Sequence, residues 1–202
     1  MKRFFLVSAI LVMVSAAVAL AAQGLRYDVR VALEKAVANE REAVARYEAF
    51  AAKADLEGYP GAATLFRANA RAEGIHAARF AAILKEHGHE VPAADPPAPA
   101  VNGTEDNLRV AASAEAGERD GMYKEAIEKC KLHNAMDIAE IFDTTRDAEV
   151  EHGNLCTAAA RNLDALKNAK AYYVCGHCGY TTDVRLPLCP SCRKREPPEQ
   201  IE

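Results

Sequence analysis

The motif Glu-x-x-His stands at Glu73/His76 and at Glu149/His152, and each of these two copies interrupts a helical stripe that is otherwise apolar. Bundle helices bury positions alternating four and three residues apart. One such stripe runs Ala62, Phe66, Asn69, Glu73, His76, Phe80, and another runs Ile138, Phe142, Thr145, Glu149, His152, Cys156, Ala159, Leu163. Two further stripes are Leu33, Val37, Glu40, Val44, Tyr47, Ala51 and Leu108, Ala111, Glu115, Glu118, Met122. A single Glu on a stripe is ordinarily a solvated edge. Four stripes that are apolar at their ends and acidic in the middle require another reading. Buried carboxylates repel one another and are costly to desolvate, so a core retains them when cations neutralise them. Within each Glu-x-x-His an oxygen and a nitrogen lie on one helix face, about 4.5 Å apart along the axis.

The order of the segments sets the fold class. Helical periodicity runs from Tyr27 to Leu56, where "EGYPG" breaks it, and from Gly61 to His87. A Pro-rich connection, "GHEVPAADPPAPAVNGTEDN", precedes helices expected over Glu105–Leu132 and Ala135–Lys167. Two helical hairpins joined by one long crossover predict an all-α, ferritin-like four-helix bundle over 27–167. One inward Glu from each of two helices, with Glu-x-x-His from the other two, is the di-iron or di-manganese carboxylate arrangement. Its expected ligands are Glu40, Glu73, His76, Glu115, Glu118, Glu149 and His152.

Residues 172–202 form a second unit, too small for an apolar core of its own. Of six cysteines, Cys175, Cys178, Cys189 and Cys192 make two Cys-x-x-Cys knuckles and read as one tetrahedral metal site. Zinc there would be a staple, whereas iron would carry an electron; the spacing fits both. Cys130 and Cys156 fall on opposite sides of the carboxylate level and cannot pair within one bundle.

Residues 1–22 read as a secretory signal: Lys2 and Arg3, an apolar run from Phe4, and Ala19-Leu20-Ala21 as a cleavage site. The same run is long enough to serve as an uncleaved anchor. The expected location is therefore exported and periplasmic. A net charge of −4 with both signs interspersed excludes a nucleic-acid surface as the expected partner face.

The segments "NEREAVARY", "AEGIHA", "AEAGERDGMY" and "AEVEHG", with the two knuckles, resemble rubrerythrin over nearly the whole chain after residue 27. The resemblance implies a di-iron bundle followed by a rubredoxin-like module, and two-electron reduction of hydrogen peroxide to water. It implies that Glu73 and Glu149 bridge two irons, with Glu40, Glu115 and His152 as further ligands. Glu118 and His76 would exchange at one iron, and Tyr47 and Tyr123 would hydrogen-bond ligand carboxylates. Re-reduction of such a site favours iron over zinc in the four thiolates. Export points to a haem cytochrome or membrane-linked donor. The alternative is a ferroxidase or metal-storage bundle with a structural zinc module; a non-catalytic zinc-ribbon binding module fits the acidic stripes poorly. His87, His89, His133 and His177 are not expected as ligands. Measured along the fourth helix, the bundle site and the chain's own tail stand about 20 Å apart. A head-to-tail homodimer, with transfer between chains, is the expected remedy.

Overall fold

The computed structural model describes residues 24–91, 93 and 96–202, so the segment expected to direct export, 1–22, lies outside the described residues. Among the described residues no helix is long and apolar enough to cross a membrane.

Helix α1 (Tyr27–Leu56) and α2 (Pro60–Glu86) form the first hairpin. The turn between them uses Gly58 at φ 79°, a left-handed backbone that favours glycine, and Pro60 in the first turn of α2, where no N–H is needed. Helix α3 (Thr104–Gly117) continues through a π-helical turn, Glu118–Met122, into α4 (Tyr123–Leu132). After a turn at Asn134, which is also left-handed, α5 (Met136–Arg161) packs back along α3 and α4. The crossover before α3 is tied to the end of α1. Glu57 Oε2 accepts hydrogen bonds from Thr104 N at 2.8 Å and Thr104 Oγ1 at 2.6 Å.

Two differences from the sequence pattern matter. The fourth helix does not reach Lys167. It stops at Arg161, and residues Leu163–Lys167 form a tighter 3-10 turn that places Leu166 in the core. The third helical rod is not regular either. Its π turn inserts one residue, so the buried register after Glu118 passes to Tyr123 and Met122 is only partly buried. On α1 the buried position between Glu40 and Tyr47 is Ala43, and Val44 lies at the edge of the core.

The core has two apolar halves. One holds Tyr47, Phe50, Phe66, Leu108 and Cys156; the other holds Leu33, Val37, Phe80, Tyr123, Cys130 and Phe142. Cys130 and Cys156 are thus free thiols in opposite halves. Between the halves lies a buried layer of Glu40, Glu73, His76, Glu115, Glu118, Glu149 and His152. Strands β1 (Tyr172–Val174), β2 (Thr181–Thr182) and β3 (Glu199–Ile201) form an antiparallel sheet in the order β2-β1-β3 and carry the four-cysteine module.

Candidate metal centres

The buried layer is made by spacing. Glu73 and His76 share one face of α2, and Glu149 and His152 share one face of α5. Their donor atoms converge on two poles. At one, His76 Nδ1 lies 2.8 Å from Glu73 Oε2, 3.2 Å from Glu149 Oε1 and 4.0 Å from Glu40 Oε2. At the other, His152 Nδ1 lies 2.9 Å from Glu149 Oε2, 3.2 Å from Glu73 Oε1 and 3.9 Å from Glu115 Oε2. Glu73 and Glu149 each give one oxygen to each pole, which is the geometry of bridging carboxylates. Glu40 and Glu115 each serve one pole.

The donor set fits a pair of cations. Both oxygens of Glu40 and of Glu149, Glu73 Oε1, Glu115 Oε2 and His152 Nδ1 are buried without a hydrogen-bond partner among the described residues. These atoms are close to one another but are not aligned as donors and acceptors, which is how ligands around a common centre are disposed. The electrostatics agree. Burial, then the neighbouring Glu73 and Glu149 charges, pushes the pKa of Glu40 and of Glu115 well up. Burial would lower both histidines, but the carboxylates outweigh it: His76 is raised to about 9, and His152 is also raised. Burial would likewise raise Glu73, but His152 and His76 hold it below the usual carboxylate range.

The tautomers are set from the far side of each ring. His76 Nε2 donates to the backbone carbonyl of Cys178 at 2.9 Å. His152 Nε2 faces the carbonyl of Gly179 at 3.2 Å and Thr181 Oγ1 at 3.1 Å, while the Thr181 hydroxyl donates to the same carbonyl. Carbonyl oxygens only accept, so the proton sits on Nε2 in both rings and Nδ1 is left for a metal.

This contact corrects the expected 20 Å gap. The chain leaves α5 at Asn162 and folds back, so the knuckle of the module lies against the bundle site of the same chain. Gly179 allows the approach: it has φ 77°, and a Cβ there would overlap His76 Nε2. Thr181, Gly179 and the Cys178 carbonyl were not legible as site groups, because their role depends on the fold-back.

Glu118 belongs to neither pole. It is 8% exposed, the most accessible of the five carboxylates, and its Oε1 lies 3.7 Å from Arg46 Nη2. Burial, with Glu149 and Glu73 nearby, pushes its pKa up to about 8. The π turn begins at Glu118 and contains Gly121. Tyr47 donates its hydroxyl hydrogen bond to Glu115 Oε1. Tyr123 differs from expectation: its ring packs beside the stacked pair Phe80 and Phe142, and its buried hydroxyl has no hydrogen-bond partner among the described residues.

The four knuckle sulfurs gather in the module. Cys175 Sγ and Cys192 Sγ are 3.7 Å apart, and Cys178 Sγ and Cys189 Sγ are 3.5 Å apart. Sulfurs about 2.3 Å from a common centre stand about 3.8 Å apart in a tetrahedron, so the set is shaped for one metal. None of His87, His89, His133 and His177 joins a donor cluster among the described residues, and His133 pairs instead with Asp28 at 2.6 Å.

The family model described as Rubrerythrin matches residues 32–160. Rubrerythrin of Porphyromonas gingivalis is 32% identical over 163 residues, spanning 78% of this chain and 81% of that protein. Nigerythrin of Nitratidesulfovibrio vulgaris is 33% identical over 163 residues, spanning 79% of each. A solved structure of fully reduced, all-ferrous nigerythrin superposes with a TM-score of 0.75 at 29% identity, covering 86% of each chain. A structure of Archaeoglobus fulgidus ferritin, engineered to a closed form, shares the fold at 16% identity and a TM-score of 0.60, covering 70% of this chain and 87% of that one. On this matched length and identity the chain belongs to the rubrerythrin family, and iron is the metal its two donor sets support.

Proposed function

We propose that this protein reduces hydrogen peroxide to two waters, taking two electrons at the carboxylate–histidine centre and replenishing them through the four-cysteine centre of the same chain. The observation that carries this reading is the pair of imidazoles that face both sites. Each has Nδ1 in the carboxylate layer and Nε2–H on the backbone of the thiolate module. A storage bundle has no need of such a bridge.

Iron, when bound, supplies the two electrons that split the O–O bond. The protein's own part is to place charge and protons. Glu73 and Glu149, which give one oxygen to each pole, would hold the metals together with Glu40, Glu115, His76 and His152. The apolar halves above and below exclude bulk water from the layer. Tyr47 fixes Glu115. Glu118, the most accessible of the five carboxylates, stands at the edge of the layer with Arg46 Nη2 at 3.7 Å, and is placed to pass protons from solvent to the two hydroxides that O–O cleavage leaves.

The test is one turnover. Iron-loaded, fully reduced protein is mixed anaerobically with limiting hydrogen peroxide. The expected result is oxidation of two ferrous ions per peroxide without oxygen release. Peroxide that survives contact with the reduced protein, or oxygen release, would contradict the reading.

A further inference from the structure

The four-cysteine module has two unlike faces. The first knuckle is turned to the bundle through Cys178 and Gly179. The second knuckle also touches the bundle, where Ser191 Oγ donates to Thr144 O at 3.3 Å and to Asp147 Oδ2 at 3.1 Å, and from there the chain leads into a different surface. Between Val184 and Arg195 the chain carries Arg185, Arg193, Lys194 and Arg195 and no Asp or Glu, in a protein whose net charge is −4. All four cations are exposed, and none forms an ion pair among the described residues. By contrast Arg71 and Lys170, which border the module, are paired with Glu199 and Asp183 at 2.8 Å.

Backbone geometry supports a purpose for the charge. Arg193 follows the second knuckle as Gly179 follows the first, and both are left-handed, at φ 60° and 77°. At Gly179 the neighbouring His76 excludes a side chain. At Arg193 the backbone favours glycine, yet the chain places a cation there. The basic run is also fastened to the metal site. Arg193 N donates to Cys189 O at 3.1 Å, and Cys189 N donates to Lys194 O at 3.0 Å. Cys192 is the least buried of the four thiols. Arg185 and Arg195 line one cleft whose floor is Leu186, Pro187, Pro197 and Pro198, and Val184 beside it is 58% exposed.

We propose that this face docks an acidic one-electron carrier protein beside the Cys189–Cys192 knuckle. The proposal rests on reading the module as the entry point for electrons. An apolar floor with a basic rim complements an acidic protein surface. One electron passes per encounter: the carrier's reduced centre is oxidised, ferric iron in the four thiolates becomes ferrous, and no bond or proton moves.

The probe is a plant-type [2Fe–2S] ferredoxin, an acidic carrier, with the basic carrier cytochrome c as the opposite-charge control. Binding of oxidised ferredoxin to the iron-loaded full chain is measured by calorimetry over a salt series. The rate of reduction by reduced ferredoxin is measured by stopped flow. Wild type should bind ferredoxin and not cytochrome c, and salt should weaken the binding. The triple reversal R185E/K194E/R195E should weaken affinity and slow reduction by about tenfold or more. Arg193→Gly, which suits the backbone, should weaken affinity about two- to fivefold. The visible spectrum of the four-thiolate iron verifies that each variant keeps its module. Dithionite reduction and reoxidation by peroxide should stay at wild-type rates, and their loss from wild type would count against the peroxide reading instead. Three results would overturn the docking proposal: no ferredoxin binding by wild type, wild-type affinity in both variants, or equally tight binding of duplex DNA or phosphatidylglycerol vesicles in the same salt.

Discussion

The imidazole of His76 spans two centres: its Nδ1 is 2.8 Å from Glu73 Oε2, and its Nε2 is 2.9 Å from the backbone carbonyl of Cys178. One ring thereby joins a bridging carboxylate of the bundle to the main chain of a thiolate ligand. His152 makes the matching connection to Gly179 and Thr181. The position of the module and the tautomers of both histidines are therefore set by the same hydrogen bonds.

Gly179→Ala tests that dependence. A methyl group there collides with the His76 ring, and a left-handed alanine adds about 1–2 kcal/mol. The module should lift from the bundle while keeping its own metal. Stopped-flow transfer from the reduced four-thiolate iron to the oxidised bundle should slow, since the hydrogen bond from His76 Nε2 to the Cys178 carbonyl that links the two sites is broken. An unchanged rate would mean that the contact does not set the path.

The bundle ligands should separate by metal count. Glu73 and Glu149 serve both poles, so Glu73→Ala or Glu149→Ala should empty both. Glu40→Ala and Glu115→Ala each touch one pole and should leave one tightly held metal. Metal analysis after dialysis reads this directly. Two bundle metals retained in Glu73→Ala would remove the bridging assignment.

The two buried tyrosines should behave differently. Tyr47→Phe deprives Glu115 of its donor and should destabilise the iron-loaded fold, in which Glu115 is held as a carboxylate, by about 1.5–3 kcal/mol, the range for a hydrogen bond to a charged group. Tyr123→Phe removes a hydroxyl that has no partner among the described residues, and should be neutral within about 0.5 kcal/mol or stabilising. Urea unfolding of the two variants checks the contrast.

The contrast also shows what the chain reveals without its structure. Glu40, Glu73, Glu115 and Glu149 were legible because four acidic interruptions at one level of four apolar stripes have few physical explanations. The knuckles were legible from spacing. The 3.6-residue period does not anticipate an inserted residue, so the shift from Met122 to Tyr123 at the π turn was not legible. The fold-back was lost for another reason. Distance along a helix says nothing about a tail that reverses at Asn162, and no periodic pattern marks Thr181 or the Cys178 carbonyl as partners of the histidines.

The crossover should report on pH through Glu57. Hydrogen bonds from Thr104 and the charge of Lys53 hold its pKa near about 2, below the ordinary 4.5. A depressed carboxylate stabilises the fold above its unfolded pKa and loses that contribution as pH falls through the folded value. The stability gap between wild type and Glu57→Gln should therefore be constant above about pH 5 and close between about pH 4.5 and 2. Urea midpoints of both proteins, compared at each pH so that metal loss cancels, test it. A gap that persists at pH 2 would place its origin elsewhere.

Whether both centres of one chain work together is tested most directly by mixing two inactive chains. Cys175→Ser lacks a four-thiolate iron, and Glu149→Ala lacks the bundle pair. Refolded together, with mixed assemblies and expected metals verified by native mass spectrometry, they contain one intact centre of each kind on different chains. Transfer through His76 and His152 within one chain predicts that carrier-driven peroxide reduction stays at the level of the separate variants, while wild type treated identically is active. Recovery of activity in the mixed assembly would show electrons crossing between chains and would contradict the route drawn here.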